Sequence, residues 1–243
     1  MKVLGVIPAR FESSRFPGKP LIDLKGKTMI QRVYEGAKRS NLLTEVIVAT
    51  DDQRIVDEVL SFGGKVELTD KSHPSGTDRC GEILSRHSEF DVVINIQGDE
   101  PLVSSQQIDE LLQAFKDENV NIATLGIKDV SADDFNNPNR IKLVTNVSGD
   151  ALYFSRSPIP NTNNSSESLK ENFPFMRHIG LYAYRSKTLM ELVSLEKTQL
   201  EQVESLEQLR WLYYGYSIRV METKIETPNI DVPADVEKVL PFL

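Results

Sequence analysis

The stretch from Pro8 to Lys19 reads P-A-R-F-E-S-S-R-F-P-G-K, which puts Arg10, Arg15 and Lys19 within ten residues of one another, with Ser13, Ser14 and Gly18 between them. Two planar guanidinium forks, an ammonium, hydroxyls and free backbone N–H groups are the donors that neutralise and orient a polyphosphate. The surrounding charge agrees. Residues 1–40 hold nine Lys and Arg against Glu12, Asp23 and Glu35, a local charge of +6 inside a chain of net charge −8. A basic loop on an acidic protein suits a small anionic ligand, whereas the global excess of acid disfavours nucleic acid. A solvated basic face is the plain alternative, and the loop by itself does not decide between them.

Carboxylates come next. Asn95-Ile96-Gln97-Gly98-Asp99-Glu100-Pro101 follows an apolar run, so Asp99 falls where a ligand loop leaves a strand. Mg²⁺ takes one or two protein carboxylates and leaves its other positions to phosphate and water, which makes Asp99 a natural ligand. A partner for it is Asp231 in N-I-D-V-P, although Pro233 just beyond suits a helix start, and on the residues alone an N-cap is preferred for Asp231. Asp51 and Asp52 read as caps of a following helix. Ser72 to Arg79, S-H-P-S-G-T-D-R, is a turn entering a helix; it offers Arg79 and backbone groups to a base or ribose, or serves only as turn and cap.

Several other chemistries are excluded. His73, His87 and His178 share no metal-site spacing, and the single cysteine, Cys80, permits neither an intramolecular disulfide nor a cysteine zinc site. No G-x-S-x-G elbow supplies a serine nucleophile. The first strand is not followed by G-x-G-x-x-G, and Gly26-Lys27-Thr28 fails as a Walker loop because Leu21 stands where its first glycine belongs. Arg177-His178, Tyr182 and Glu207-Gln208 are polar groups on otherwise apolar elements. Glu204, Glu207 and Arg210 stand at helical spacing and could form a solvated, charge-paired face.

The elements that position these residues alternate. Apolar runs at 3–7, 46–49, 66–68, 92–96 and 122–127 read as strands buried on both faces. Helices start at a Thr28/Gln31 capping box and near Gln53, Thr77 and Ser105. The alternation predicts an α/β fold, a doubly wound and mainly parallel sheet. In such sheets ligands bind beyond the carboxyl ends of the strands. After residue 128 the pattern changes to a hairpin (141–147 with 151–154), a polar exposed loop (161–170), a strand (178–184), helices (187–195 and 203–214), a strand (220–223) and a closing helix (233–240). The organisation predicted is one domain over residues 1–243 with an inserted β-rich subdomain. Composition, 26% charged and 40% hydrophobic over 243 residues, fits a globular protein. No apolar run nears the roughly eighteen residues needed to span a bilayer. The N-terminal M-K-V-L-G-V-I-P lacks the length and cleavage site of a signal peptide. The single cysteine makes a reducing cytoplasm the expected home, and no membrane partner is expected.

The segments I-P-A-R-F-E-S-S-R-F-P-G-K-P-L, V-A-T-D-D, H-P-S-G-T-D-R, N-I-Q-G-D-E-P, L-Y-F-S-R-S-P-I-P, R-H-I-G-L-Y-A-Y-R, L-E-Q-V-E-S-L-E-Q-L-R and I-D-V-P-A-D, in this order, resemble the 3-deoxy-D-manno-octulosonate (Kdo) cytidylyltransferases, the CMP-Kdo synthetases of lipopolysaccharide biosynthesis. The opening loop is shared with wider sugar nucleotidyltransferases; S-R-x-x-I-P, R-H-x-G-x-Y and E-x-L-E-Q-L-R are more specific. The resemblance implies a nucleotide-diphospho-sugar transferase-like fold and attack of the anomeric hydroxyl of Kdo on the α-phosphate of CTP. It implies Arg10, Arg15, Lys19 and Asp99 as catalytic groups, and Ala9, Arg10, Ser14, Arg15, Lys19, Gly76, Thr77, Arg79 and Asp99 around the nucleotide. Gln97, Arg156, His178, Tyr182, Glu207 and Gln208 fall where the family binds the sugar acid, with Arg156 and His178 facing its carboxylate. Asp99 and Asp231 match the Mg²⁺ carboxylates, which reverses the preference for Asp231 as a cap. A homodimer is implied, joined through an inserted subdomain at about residues 131–200.

One departure stands out. After Ile159-Pro160 the family continues with tryptophan and charged residues, whereas this chain reads N-T-N-N-S-S over 161–166. Affinity, or the choice between Kdo and its 8-amino analogue, is therefore open. A nucleotide-sugar glycosyltransferase would carry Asp-x-Asp, which is absent from this sequence. A non-catalytic nucleotide-sugar sensor would have lost Lys19, Asp99 or Asp231, and all three are present.

Overall fold

A computed structural model describes residues 1–12, 16–128 and 130–243. The chain divides into two compact units. One comprises Met1–Asp109, Ala183–Val193 and Glu226–Leu243; the other comprises Glu110–Tyr182 and Ser194–Ile225.

In the first unit the chain runs β1 (Val3–Ala9), α1 (Met29–Ala37), β2 (Glu45–Thr50), α2 (Gln53–Ser61), β3 (Val66–Leu68), α3 (Gly76–Arg86) and β4 (Val92–Asn95), then enters α4 (Ser105–Leu112). The four strands are parallel in the order β3-β2-β1-β4. A central strand with covered faces needs apolar residues on both, and Val3, Leu4, Val6 and Ile7 of β1 are all buried. The helices contribute matching stripes: Met29, Ile30, Val33 and Ala37 from α1, Ile55 and Val59 from α2, Cys80, Ile83 and Leu84 from α3. Their caps are explicit. The Thr28 hydroxyl accepts from Gln31 N–H at 3.3 Å, but the Gln31 amide donates to Glu35 Oε1 at 2.9 Å, so only half of the expected capping box forms. Asp52 caps α2 through Arg54 N–H (3.0 Å), and Ser75 caps α3 through Asp78 N–H (3.2 Å). Val6 pairs with Asn95, so the loops that follow β1 and β4 leave the sheet as neighbours. That adjacency sets Arg10 and Lys19 beside Gln97 to Asp99.

The second unit holds β5 (Ile122–Ile127), α5 (Ala132–Asn136), β6 (Lys142–Thr145), β7 (Ala151–Ser155), α6 (Glu167–Asn172) and most of β8 (Met176–Arg185). The chain then makes α7 (Ser186–Leu192) in the first unit and returns for α8 (Gln199–Glu204), α9 (Gln208–Tyr213) and β9 (Arg219–Glu222). It closes with α10 (Val236–Val239), again in the first unit. β5 pairs with β9 in parallel, while β6 pairs antiparallel with both β7 and β8. The β6–β7 hairpin is the one read from sequence; Gly149 turns it at φ +79°, and the Asn146 carboxamide oxygen accepts from Ser148 and Asp150 N–H, each at 2.9 Å.

The second unit takes in β5 and the stretch that ends with β9, which hydrogen-bond to each other. Two expectations need correction here. The polar 161–170 segment is not all loop: Ser166 caps α6 through Leu169 N–H. The helix expected over 203–214 is broken into α8 and α9, with Ser205 between them at φ +52°.

Lys142 is fully buried, and its ammonium donates to the carbonyls of Asn137 (2.9 Å), Arg140 (2.7 Å) and Arg156 (2.6 Å). Three donors meet three acceptors, which is how a buried charge without a carboxylate partner is tolerated. Lys142→Met leaves those carbonyls unsatisfied and should lower unfolding free energy by roughly 2–4 kcal/mol. Urea denaturation with an unchanged m-value checks this; a loss below ~0.5 kcal/mol would mean water replaces the ammonium.

Among the described residues, no helix is long and apolar enough to cross a membrane.

Candidate active site

A cavity of about 440 Å³ opens in the first unit, lined by Ala9, Arg10, Lys19, Gly76, Arg79, Gln97 and Asp99 among others. Seven residues assigned by resemblance therefore share one pocket. Ser14 and Arg15 lie outside the described residues. Thr77, also assigned to the nucleotide, is buried in the first turn of α3 rather than lining the cavity.

The loop after β1 is closed at its base by Gly18 N–H donating to Phe11 O at 2.9 Å, and Gly18 holds φ +73°, which favours glycine. On the opposite wall Gly98 approaches β1 so closely that a Cβ would sit 2.6 Å from Pro8 O. A side chain there would push the Asp99 loop off the strand.

Arg10 leaves the end of β1 and donates through Nη2 to the carbonyl of His73. Burial first, and the neighbouring Arg79 second, draw its pKa below the usual guanidinium range. Arg79 is wholly buried: Nη2 pairs with Asp51, and Nη1 donates to Thr69 Oγ1 at 2.5 Å. Its Nε–H has no hydrogen-bond partner among the described residues. Arg79 is thus a braced wall of the cavity rather than a free fork. Asp51 and Thr69, which sequence reasoning missed, brace it. The signal was the doubled aspartate at the end of β2: Asp52 takes the cap and leaves Asp51 for another task. Asp51→Asn should raise the KM for whatever nucleotide fills this cavity by roughly tenfold with kcat nearly kept, because a neutral amide no longer holds the arginine. Initial-rate kinetics decide it, and an unchanged KM would show that Thr69 alone suffices.

Lys19 donates to Asp99 Oδ2 at 2.8 Å and to Ile230 O at 2.9 Å, while Ile230 N–H donates to Asp99 O at 3.0 Å. The two segments carrying the proposed metal carboxylates are laced together at the lysine. Asp231 does not cap the turn that follows; Asp235 does, its Oδ2 accepting from Asp231 and Val232 N–H at 3.1 Å each. Asp231 Oδ2 instead accepts from Asn229 Nδ2 at 2.9 Å. The cap preferred on the residues alone is therefore not what forms. Glu100, also missed, accepts from Thr227 Oγ1 at 3.2 Å and ties the same two segments. Burial, and then the charge of Asp99, push its carboxyl up to about 7.

The second unit places the remaining assigned residues. Arg156 donates from Nε to Glu204 O (2.8 Å), from Nη1 to Pro138 O (3.1 Å) and from Nη2 to Ser205 O (3.2 Å). In return the Glu204 carboxylate accepts from Arg156 N–H (3.0 Å) and Ser155 Oγ (2.7 Å). This reciprocal clamp joins the residue that follows β7 to the α8–α9 break. Glu204, which the sequence allowed to be a solvated helix face, is a latch. His178 lies between Phe154 and Tyr182, with ring centroids 5.1 and 5.2 Å away. Burial, with Arg177 second, pulls its pKa down to about 3, so at neutral pH the ring is uncharged. At neutral pH His178 is therefore an uncharged hydrogen-bonding group. Tyr182 packs edge-on to Trp211 at 5.1 Å, and burial raises its phenol well above the usual range. Glu207 lies 3.8 Å from Arg210 Nη2, whose guanidinium is itself paired with Glu201, and Gln208 is buried at the start of α9.

Among the described residues no three His, Cys, Asp or Glu side chains gather as a metal cluster. Asp99 and Asp231 supply only hard carboxylate oxygens, the donor set of a Mg²⁺ site completed by phosphate and water.

A parallel α/β unit with a basic first loop and paired carboxylates beyond its strands defines a nucleotidyltransferase type of site. The chain belongs to the cytidylyltransferase family, whose sequence model matches residues 4–223. It is 51% identical to the 3-deoxy-manno-octulosonate cytidylyltransferase of Parabacteroides distasonis, covering 100% of this chain and 98% of that protein. The protein of the same name from Bacteroides thetaiotaomicron is 48% identical, with the same coverage. Among solved structures, a CMP:2-keto-3-deoxy-manno-octonic acid synthetase complexed with CTP superimposes at a TM-score of 0.93, with 45% identity over 100% of this chain and 98% of that one.

Proposed function

We propose that this protein transfers the cytidylyl group of CTP to the anomeric hydroxyl of Kdo, releasing pyrophosphate and forming CMP-Kdo for lipopolysaccharide biosynthesis. The observation that carries the reading is the lacing of Lys19, Asp99 and Ile230 beside Arg10, in a chain similar end to end to Kdo cytidylyltransferases. Arg10, Ser14, Arg15 and Lys19 hold the triphosphate, and Lys19 and Arg15 balance the charge that develops on the departing pyrophosphate. Ala9, Gly76 and Arg79 shape the nucleotide side of the pocket. Asp99 and Asp231 would hold Mg²⁺, which when bound screens phosphate charge and makes the sugar hydroxyl more acidic. Gln97, Tyr182, Glu207 and Gln208 read sugar hydroxyls, and Arg156 takes the carboxylate. No protein nucleophile is required. We take the protein to be a cytoplasmic homodimer paired through the second unit, which light scattering at twice the chain mass would support.

The test is Mg²⁺-dependent pyrophosphate release from CTP with Kdo, 8-amino-Kdo, sialic acid or no sugar. Release with Kdo alone is expected. Release with only the amino analogue would keep the mechanism and move the specificity, for which the unusual 161–166 segment is the motive. No release from folded protein that binds CTP would favour a sensor.

A further inference from the structure

Thr124 is a hydroxyl on a strand otherwise built for burial, and it is itself fully buried. Its Oγ1 lies 2.9 Å from Leu181 O, 3.3 Å from Ile179 O and 2.9 Å from His178 Nε2. A hydroxyl has one proton, and a carbonyl oxygen can only accept. The proton therefore goes to the backbone carbonyls of β8, and the face of Oγ1 toward the imidazole is a lone pair. A lone pair at 2.9 Å from Nε2 requires that Nε2 carry hydrogen. A neutral imidazole has a single N–H, so Nδ1 is then a bare acceptor.

We infer that Thr124 fixes His178 as its Nε2–H tautomer, and that Nδ1 thereby selects a hydroxyl of the sugar acid in place of its carboxylate. The sugar half of this rests on the function proposed above; the tautomer half does not. The enclosure of the ring by Phe154 and Tyr182, with its pKa near 3, removes the doubly protonated form that a carboxylate would prefer. A bare nitrogen lone pair repels a carboxylate and accepts an O–H. Thr124 is a positioning residue that acts through the ring it orients.

The experiment is ¹⁵N–¹H NMR of the full-length labelled protein, which has only three histidines. The His178 signals are assigned by their loss in His178→Gln. Expected is a proton on Nε2 and none on Nδ1; a proton on Nδ1, or on both, overturns the inference without any substrate. Kdo at saturation should shift the Nδ1 resonance as it accepts a hydrogen bond. Protonation of the ring on binding, or no shift with a sugar that wild type turns over, overturns the sugar half. Thr124→Val should mix the tautomers and raise the Kdo KM about tenfold, with the CTP KM unchanged and Thr124→Ser restoring both. A valine variant with the wild-type tautomer and Kdo KM overturns it as well. Absence of any turnover with Kdo by wild type would instead sink the proposed function and leave the tautomer standing.

Discussion

Between pH 6.5 and about 3, the wild-type protein will lose stability more steeply than a His178→Gln variant. The folded protein holds this imidazole neutral down to about pH 3, whereas in the unfolded chain it titrates near its ordinary value of 6.5. As pH falls through that window the unfolded state takes up a proton that the folded state refuses, so acid favours unfolding. The stabilisation is complete above the unfolded value, declines as pH falls through the window, and is gone once the folded ring also protonates. A shift of this size corresponds to roughly 3–5 kcal/mol, allowing for the ring's partial exposure. Urea denaturation of both proteins at pH near 7 and near 4 isolates the effect, since carboxylates common to the two cancel. Parallel losses would show that His178 charges freely in the folded state.

Asp99→Asn should reduce kcat/KM by on the order of 10³, about 4 kcal/mol of transition-state stabilisation. The carboxylate does two things that an amide cannot: it offers a hard anionic ligand and it neutralises Lys19 at 2.8 Å. The fold should survive, because Lys19 keeps Ile230 O and Ile230 N–H keeps Asp99 O. Pyrophosphate release with Mg²⁺ at saturation is the assay. Lys19→Met should behave similarly, and the double variant should be little worse than either single one if the pair acts as a unit. A single-variant rate within tenfold of wild type would remove Asp99 from the chemistry.

Most of the first unit was legible because its signals are local. Buried parallel strands need continuous apolar runs, and 3–7, 46–49 and 92–96 announce themselves as such. Thr28 and Asp52 are caps that any helix start would use. What failed was non-local. Nothing around Ser205 marks a left-handed residue, and the break there is held by Arg156, just past β7 and 49 positions away. The polar run hid α6 because its helix is exposed and has no apolar stripe to betray it. The neutral state of His178 depends on Phe154 and Tyr182 closing over it, which spacing cannot report. At the site itself the residue types were readable, yet their division of labour was not. Asp51 and Asp52 look interchangeable in a line of letters, as do Asp231 and Asp235; only the folded backbone decides which one braces, which one caps and which one is left for a ligand.

The lacing of Lys19 to Ile230 has a consequence for how the protein is made. These two residues are separated by 211 positions, and the first unit is assembled from Met1–Asp109, Ala183–Val193 and Glu226–Leu243. On a ribosome the basic loop emerges first and must wait, with Asp99 already beside it, until the segment that carries Ile230 follows 211 residues later. A nascent chain can fold β1 to β4 and still present an unfinished pocket. Competence should therefore arrive late and at once, so that incomplete translation products have sheet structure but no assembled site.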